Sequence, residues 1–252
     1  MNNVSEKNLE KVFTRPKSMI ETEFHYCPGC SHQIVHRLIG EIIDELGIQD
    51  NIIGIAPVGC AVLAYDYWDI DMSEAAHGRV PAVATGLKRV KPDTLVFGYQ
   101  GDGDLAAIGM AETIHAANRG ENFTIIFINN AIYGMTGGQM APTTLPGQIT
   151  STTPYGRDVS DVGYPIKVCE LLATLATPAY IERTTITTPK NVLKTKKAIK
   201  KAFQYQIDKK GYSFIEVVSS CPTRWGLSPI DSFKWIEENM LKFFKPGVFK
   251  DF

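Results

Sequence analysis

The chain has no surplus of charge of either sign: 26 Lys and Arg stand against 27 Asp and Glu, a formal net charge of −1. That gives no ground for a nucleic-acid partner. Long apolar runs are missing too. No stretch reaches the length that spans a bilayer, so no membrane partner is expected. Residues 1–23 are polar and mixed in charge, without the apolar core of a signal peptide, which predicts a cytoplasmic protein. There is no internal repeat and no low-complexity tract. Cysteine is scarce, five in 252 residues. In a cytosolic chain such cysteines are ligands or core residues rather than a disulfide framework.

What is present is one informative pattern. Gly101-Asp102-Gly103-Asp104 is followed, 28 residues after Asp102, by Asn130 in the string Ile128-Asn129-Asn130. Two glycines let backbone approach a phosphate closely. The carboxylate between them is a hard oxygen ligand of the kind Mg²⁺ takes beside phosphate oxygens and water. An amide oxygen from a second loop supplies the next ligand. The flanking sequence places both loops. Residues 93–99 are short, apolar and bounded by Lys91-Pro92, as a buried strand is. Residues 105–119 carry Leu105, Ile108, Ala111, Ile114 and His115 at helical spacing and end in Asn118-Arg119-Gly120, a C-cap sequence. Residues 123–128 form a second apolar run, suited to a parallel strand buried on both faces. In an open parallel sheet the two loops share the carboxyl edge, where ligands bind. A tight turn with a helix-capping Asp is the bland reading of the glycines. The strand-turn-helix-strand context, with Asn-Asn at the second strand's end, weighs against it.

Here the chain resembles a known family. Gly101-Asp102-Gly103 with Asn129-Asn130 is similar to the thiamine diphosphate fingerprint, and Tyr133-Gly134-Met135-Thr136-Gly137-Gly138-Gln139 resembles the β subunit of 2-oxoacid:ferredoxin oxidoreductases. The likeness runs from about Cys27 to Trp225. It implies the α/β thiamine diphosphate-binding fold, a mostly parallel sheet with helices on both faces. It also implies Mg²⁺ held by Asp102, Asn130 and the backbone carbonyl of Ile132, and cofactor contacts from Gly101, Gly103, Asp104, Gly134 and Met135. The loop Val58-Gly59-Cys60-Ala61 is implied to lie against thiamine, as is His77 in His77-Gly78-Arg79. For His77 and Arg79 the residues themselves leave a plain helix start with a solvent-facing Arg equally open.

Cys27-Pro28-Gly29-Cys30 is a CxxC with a turn inside it. Alone it fits zinc, a redox dithiol or half of an iron–sulfur site. Cys60 follows the apolar run 52–55 and Cys221 the strand-like run 213–218, so both are expected at strand ends, on the edge that carries the diphosphate loops. Four thiolates suit a [4Fe-4S] cluster, and a structural zinc site takes the same set. The resemblance implies the cluster: Cys27, Cys30, Cys60 and Cys221 match the family's ligands in order and neighbouring residues. One departure is Ser31, where many relatives carry Gly. Cys169, within the helical pattern 168–176, reads as a buried core thiol.

The activity that the resemblance implies is oxidative decarboxylation of a 2-oxoacid to acyl-CoA and CO₂ with reduction of ferredoxin. The carbon chemistry belongs to the cofactor, and a cluster nearby accepts electrons singly. Without a cluster, the decarboxylated unit would be protonated to an aldehyde or condensed with a second carbonyl. The other enzyme reading is therefore a non-oxidative thiamine diphosphate-dependent decarboxylase or lyase subunit with a zinc site. A silent scaffold that keeps only the fold is the third. The family places the activating glutamate on a separate α subunit. No candidate is evident here, since Glu112 and Glu121 flank the helix after the diphosphate loop and are expected to face solvent. The chain is thus expected in a heteromer, with an α subunit and further γ and ferredoxin-like δ subunits, working anaerobically with thiamine at an interface.

The remaining sequence alternates helix and strand: helix 31–46, a strand near Ile52, the helix after His77, the diphosphate unit, helix 166–176, strand 179–183, a lysine-rich helix over 190–210 and a strand near Ile215. That alternation argues for a parallel sheet covered on both faces. Residues 1–23 are read as an arm, 24–230 as the cofactor domain, and 231–252 as an apolar, aromatic C-terminal helix and tail packed on the domain or a partner. Residues 140–164 are rich in Pro, Thr and Gly without an apolar period, and a loop that long is functional or interface-bound. His32, His36 and His115 are expected to be structural. The lysine helix reads as a packed helix with a solvated basic face; docking of acidic ferredoxin is the alternative. For the substrate, the loop 133–139 holds no cation to pair with a second carboxylate, and Gly137 and Gly138 leave room. This favours an uncharged, branched aliphatic side chain. The string through Met140-Ala141-Pro142-Thr143-Thr144-Leu145 is similar to the 2-oxoisovalerate type.

Overall fold

The computed structural model describes residues 14–252; the first part of the expected N-terminal arm, residues 1–13, lies outside them. Among the described residues the strands β1 (Ile52–Ala56), β2 (Asp71–Glu74), β3 (Leu95–Gly101), β4 (Thr124–Asn129), β5 (Tyr180–Thr185), β6 (Ser213–Val218) and β7 (Gly247–Asp251) form a sheet. Its order is β2-β1-β3-β4-β6-β5-β7. All pairings are parallel except that of β5 with β7. The helices are α1 (His32–Leu46), α2 (Val80–Val90), α3 (Met110–Asn118), α4 (Val159–Val162), α5 (Val168–Ala173), α6 (Pro189–Ile207), α7 (Pro222–Trp225), α8 (Pro229–Trp235) and α9 (Leu241–Phe243). This is the α/β architecture expected from the sequence.

Continuous apolar strands bury both faces, as parallel sheets do: every residue of β1, β4 and β6 is buried. Alternation divides them between two layers. Phe97, Tyr99, Ile126, Ile128, Ile215 and Val217 meet α1 and α6. Val96, Ile125, Phe127 and Phe214 meet α2, α3 and α5. In α1, Val35, Leu38, Ile39, Ile42 and Ile43 make the buried stripe, and the helix ends at left-handed Gly47. Thr188 caps α6 by accepting from Asn191 N, with Pro189 in the first turn. That cap and proline start the helix where its apolar stripe begins.

Three features depart from the sequence reading. The helix expected over 105–119 is broken: Gly103–Ile108 is a π-turn, and α3 starts only at Met110. The break lies at Gly109, where a Cβ would come 2.6 Å from both Asp104 O and Gly78 O. Close approach of the His77 loop sets that geometry. β2, with sequence DMSE, has no apolar alternation to announce it; it joins the sheet by parallel pairing of Ile53 with Asp71 through Ala56 with Glu74. β7 lies in the C-terminal stretch expected to be helix and tail, and closes the other sheet edge. The helical part of that stretch packs Ile236, Met240 and Phe244 against Ala131, Leu145 and Val218. The run 140–164 is loop apart from α4. No helix among the described residues is long and apolar enough to cross a membrane.

Candidate active site

β1, β3, β4 and β6 are neighbours in the sheet, so the loops leaving their carboxyl ends meet. A cavity of about 260 Å³ opens there. Its walls are Val58, Gly59, Cys60 and Ala61 after β1, His77 before α2, Gly101, Asp102, Gly103 and Asp104 at the end of β3, and Asn130, Gly134 and Met135 after β4. Each residue that the sequence assigned to cofactor contact lines this one space.

Asp102 and Asn130 meet in its wall. One terminal atom of the Asn130 amide lies 2.7 Å from the Ile132 carbonyl oxygen and 3.2 and 3.3 Å from the two Asp102 carboxylate oxygens. Turned one way, the NH₂ donates to all three. Turned the other way, the amide oxygen joins them in a cluster of acceptors that suits a cation. Carboxylate, amide and carbonyl oxygens are the donor set that Mg²⁺ takes. Asp102 is buried, and burial pushes its carboxyl up to about 7, against the opposing hydrogen bond from Thr143. Thr143 Oγ1 donates to Asp102 Oδ2 at 2.8 Å. The sequence reading missed this residue, although it lies in the long loop singled out as functional.

Asp104 has a different place. Its Oδ1 accepts from Gly78 N at 2.9 Å and Val58 N at 3.3 Å, and lies 2.6 Å from His77 Nδ1. Oδ2 accepts from Gln100 Nε2 at 2.5 Å. Four donors saturate a carboxylate, so a ligand contact at this position comes from backbone. Asp104 thereby ties the loops after β1 and before α2 to the end of β3. With Nδ1 taken, His77 presents Nε2 as its free ring nitrogen.

A second cavity, of about 200 Å³, is lined by Cys27, Cys30, Cys60 and Cys221 together with His25 and Arg224. The two cavities share His32, Cys60, Asn130, Gly134 and Met135. All five cysteines are free thiols. Cys30 N donates to Cys27 O at 3.0 Å, closing the CxxC turn. Burial pushes Cys30 up to about 12, Cys60 to about 11 and Cys221 to about 12, and the neighbouring thiols add to each shift. Gly134 makes room between two of them: a Cβ there would lie 3.2 Å from Cys60 Sγ and 3.3 Å from Cys221 Sγ. Arg224 Nε donates to Gly134 O at 2.8 Å and fixes that approach. Cys169 is fully buried in the core, as expected.

Other expectations fare unevenly. Glu112 and Glu121 do not simply face solvent: Glu112 pairs with Arg79 at 2.8 Å, and Glu121 with Arg89 at 2.8 Å and Arg119 at 2.7 Å. Nearby arginines recruited both acids, a pairing that helical spacing could not show. His36 is buried and His115 exposed. His32 is more than structural packing. Its Nδ1 lies 2.7 Å from Tyr99 Oη, it lines both cavities, and burial lowers it to about 3, so it is neutral. Only its place beside the CxxC pointed to this position.

Residues 58–217 match the family described as thiamine pyrophosphate enzyme, C-terminal TPP binding domain. The fold and cavity therefore belong to a thiamine pyrophosphate-binding domain. Over 244 residues the chain is 51% identical to a protein named ketoisovalerate oxidoreductase subunit VorA from Methanothermobacter thermautotrophicus, covering 97% of this chain and 51% of that one. It is 39% identical over 222 residues to 2-oxoglutarate synthase subunit KorB from Methanocaldococcus jannaschii, covering 86% and 78%. The solved 2-oxoglutarate:ferredoxin oxidoreductase from Magnetococcus marinus, with 2-oxoglutarate, coenzyme A and succinyl-CoA bound, superposes with a TM-score of 0.75 at 28% identity, covering 89% of this chain and 73% of that one. The chain belongs to the thiamine pyrophosphate-binding β subunits of the 2-oxoacid:ferredoxin oxidoreductase family. It spans about half the length of the ketoisovalerate relative.

Proposed function

We propose that this chain is the thiamine diphosphate- and [4Fe-4S]-carrying subunit of a 2-oxoacid:ferredoxin oxidoreductase. It would convert a branched-chain, 2-oxoisovalerate-like acid and coenzyme A to acyl-CoA and CO₂, with electrons passing to ferredoxin. One observation carries the reading: Cys60 and Gly134 line both the cavity of the diphosphate pattern and the cavity ringed by four cysteines. A carbon centre in one cavity and an electron acceptor in the other would be separated by little more than that shared wall.

Asp102, Asn130 and the Ile132 carbonyl would hold Mg²⁺ against the diphosphate. When bound, thiamine diphosphate supplies the chemistry of decarboxylation. The chain's own residues bind and orient: Asp104 sets the loops that carry Val58 and His77, and Ile108 and Met135 give the cavity apolar wall. Asp102 and Asp104 are the carboxylates among the described residues lining this cavity, and both are engaged. An activating acid from a partner α subunit would complete the site, with γ and δ subunits completing the electron path.

Cys27, Cys30, Cys60 and Cys221 line one cavity. Zinc takes four thiolates as readily; the likeness to a 2-oxoacid:ferredoxin oxidoreductase, an enzyme that hands on single electrons, supports the cluster. A [4Fe-4S] core takes four such thiolates at its corners. Free cysteines throughout fit a reducing, cytoplasmic setting. Among the described residues the cofactor cavity has no Lys or Arg in its wall, which suits a substrate without a second carboxylate. The test is anaerobic purification of the native complex, with metal, thiamine diphosphate and a 2-oxoacid panel measured together. About four irons for a single cluster, and faster turnover of 2-oxoisovalerate than of 2-oxoglutarate, are expected. A colourless zinc protein, or aldehyde release without reduction of an acceptor, would overturn the assignment.

A further inference from the structure

The turn that presents Asn130 is under constraint. Ala131 sits at φ +58°, left-handed backbone that a residue with a Cβ adopts only when its surroundings impose it. Asn129 supplies part of that: its Oδ1 accepts from Ala131 N at 3.2 Å, and its Nδ2 donates to Glu216 Oε1 at 2.7 Å. Glu216 Oε2 accepts from Arg183 Nε at 2.8 Å, and Arg183 Nη1 donates to Glu170 Oε1 at 2.9 Å. Strand register builds this line. Glu216 is paired with Arg183 on one side and Phe127 on the other, and Asn129 stands two residues beyond Phe127, on the same face. The rings of Phe244 and Phe249 lie 5.4 and 4.9 Å from the Arg183 guanidinium, so the C-terminal stretch seals it.

Asn129, Arg183 and Glu216 are at most 1% exposed. Around them the sheet face is Ile181, Phe127 and Phe214. A buried ion pair in such a place is weak evidence for stability, since apolar residues of the same volume would serve as well. What it adds is direction. We propose that Arg183, Glu216 and Asn129 form a positioning brace that holds the turn at Ala131 and so aims the Asn130 amide and the Ile132 carbonyl at Asp102. The proposal rests on the reading of those three residues as a Mg²⁺–diphosphate site.

A brace that sets ligand geometry has a signature that general loosening lacks. Mg²⁺ demands near-ideal octahedral geometry, whereas Ca²⁺ tolerates irregular sites. The test uses the assembled complex stripped of cofactor and titrated calorimetrically with thiamine diphosphate and either Mg²⁺ or Ca²⁺. For Glu216→Gln, Mg²⁺ affinity should fall by about 10-fold or more, as partners behind a ligand typically produce, while Ca²⁺ affinity changes much less. Should that variant not assemble, Asn129→Ala leaves Arg183 paired and carries the same comparison. Equal losses for both ions, or no loss, would overturn the brace. Wild-type binding of thiamine diphosphate that is indifferent to chelator would overturn the metal site itself, and the brace with it.

Discussion

His77 Nδ1 lies 2.6 Å from Asp104 Oδ1, on a carboxylate that also accepts from the backbone of Val58 and Gly78. One buried side chain thus joins the loops from two neighbouring parts of the sheet edge and fixes the tautomer of a cavity histidine. Asp104→Asn would turn an NH₂ toward a donor, either Gln100 or His77. Lost hydrogen bonds to a buried charged group cost about 1.5–3 kcal/mol. The cofactor-free variant should lose about that much unfolding free energy, read by denaturant titration, and bind thiamine diphosphate more weakly. Unchanged unfolding and binding would show that the loops are held by something else.

Gly134 stands where the two cavities meet. Its φ is not in the left-handed region, so Ala is free to adopt the backbone there, and the effect of Gly134→Ala is purely one of space. The new methyl would press on Cys60 Sγ and Cys221 Sγ at 3.2 and 3.3 Å. Iron content and visible absorbance of the anaerobically purified variant should drop well below wild type. Cys169→Ala, at a buried core thiol that lines neither cavity, should leave both unchanged. Iron loss in Cys169→Ala with full iron in Gly134→Ala would overturn the proposed place of the cluster.

The site was more legible in the sequence than the fold's margins. Asp102 and Asn130 could be placed because each follows a continuous apolar strand, and strand ends in a parallel sheet share an edge. Cys60 and Cys221 followed by the same logic. β2 and β7 escaped because edge strands need only one apolar face, or none, and DMSE has no alternation to detect. The π-turn at Gly103 escaped because it is imposed from outside, by the contact of Gly109 with Gly78. Thr143 and the line from Arg183 to Asn129 are long-range pairings. Nothing in local spacing reports that Glu216 of one strand faces Asn129 of another.

Proton competition at Asp102 sets a pH dependence. In the metal-free protein its carboxyl rises from 3.8 to about 7 by burial. A raised folded value means that protonation favours the fold: this contribution is complete below the unfolded value and is lost as pH climbs through about 7. Loading of the proposed Mg²⁺ would run the other way, since the ion would take the carboxylate. Apparent Mg²⁺ affinity should be level above about pH 7 and fall by about tenfold per pH unit below it. Titration calorimetry between pH 5.5 and 8.5 checks this, with Asp102→Asn expected to be weak and flat throughout. A flat wild-type profile would show that the carboxyl is not the competing group.

The lysines of α6 are half engaged within the chain. Lys196 Nζ lies 2.7 Å from Glu41 and 2.6 Å from Glu45, Lys200 lies 2.8 Å from Glu45, and Lys201 lies 2.5 Å from Asp251. The charge of these three is matched within the chain, by α1 and β7, so the helix offers an acidic partner less than its composition suggests. The solvated-face reading of the sequence is the one this geometry supports. Exposed pairs of this kind each contribute about 0.2–1 kcal/mol. Replacing Lys196, Lys197, Lys200 and Lys201 together by Gln should lower stability by about 1–3 kcal/mol on that scale. The concentration of ferredoxin giving half-maximal reduction should stay within about twofold at low ionic strength, where steering is least screened. A folded variant with ferredoxin affinity reduced many-fold, restored to parity with wild type at high salt, would instead make this helix the docking face.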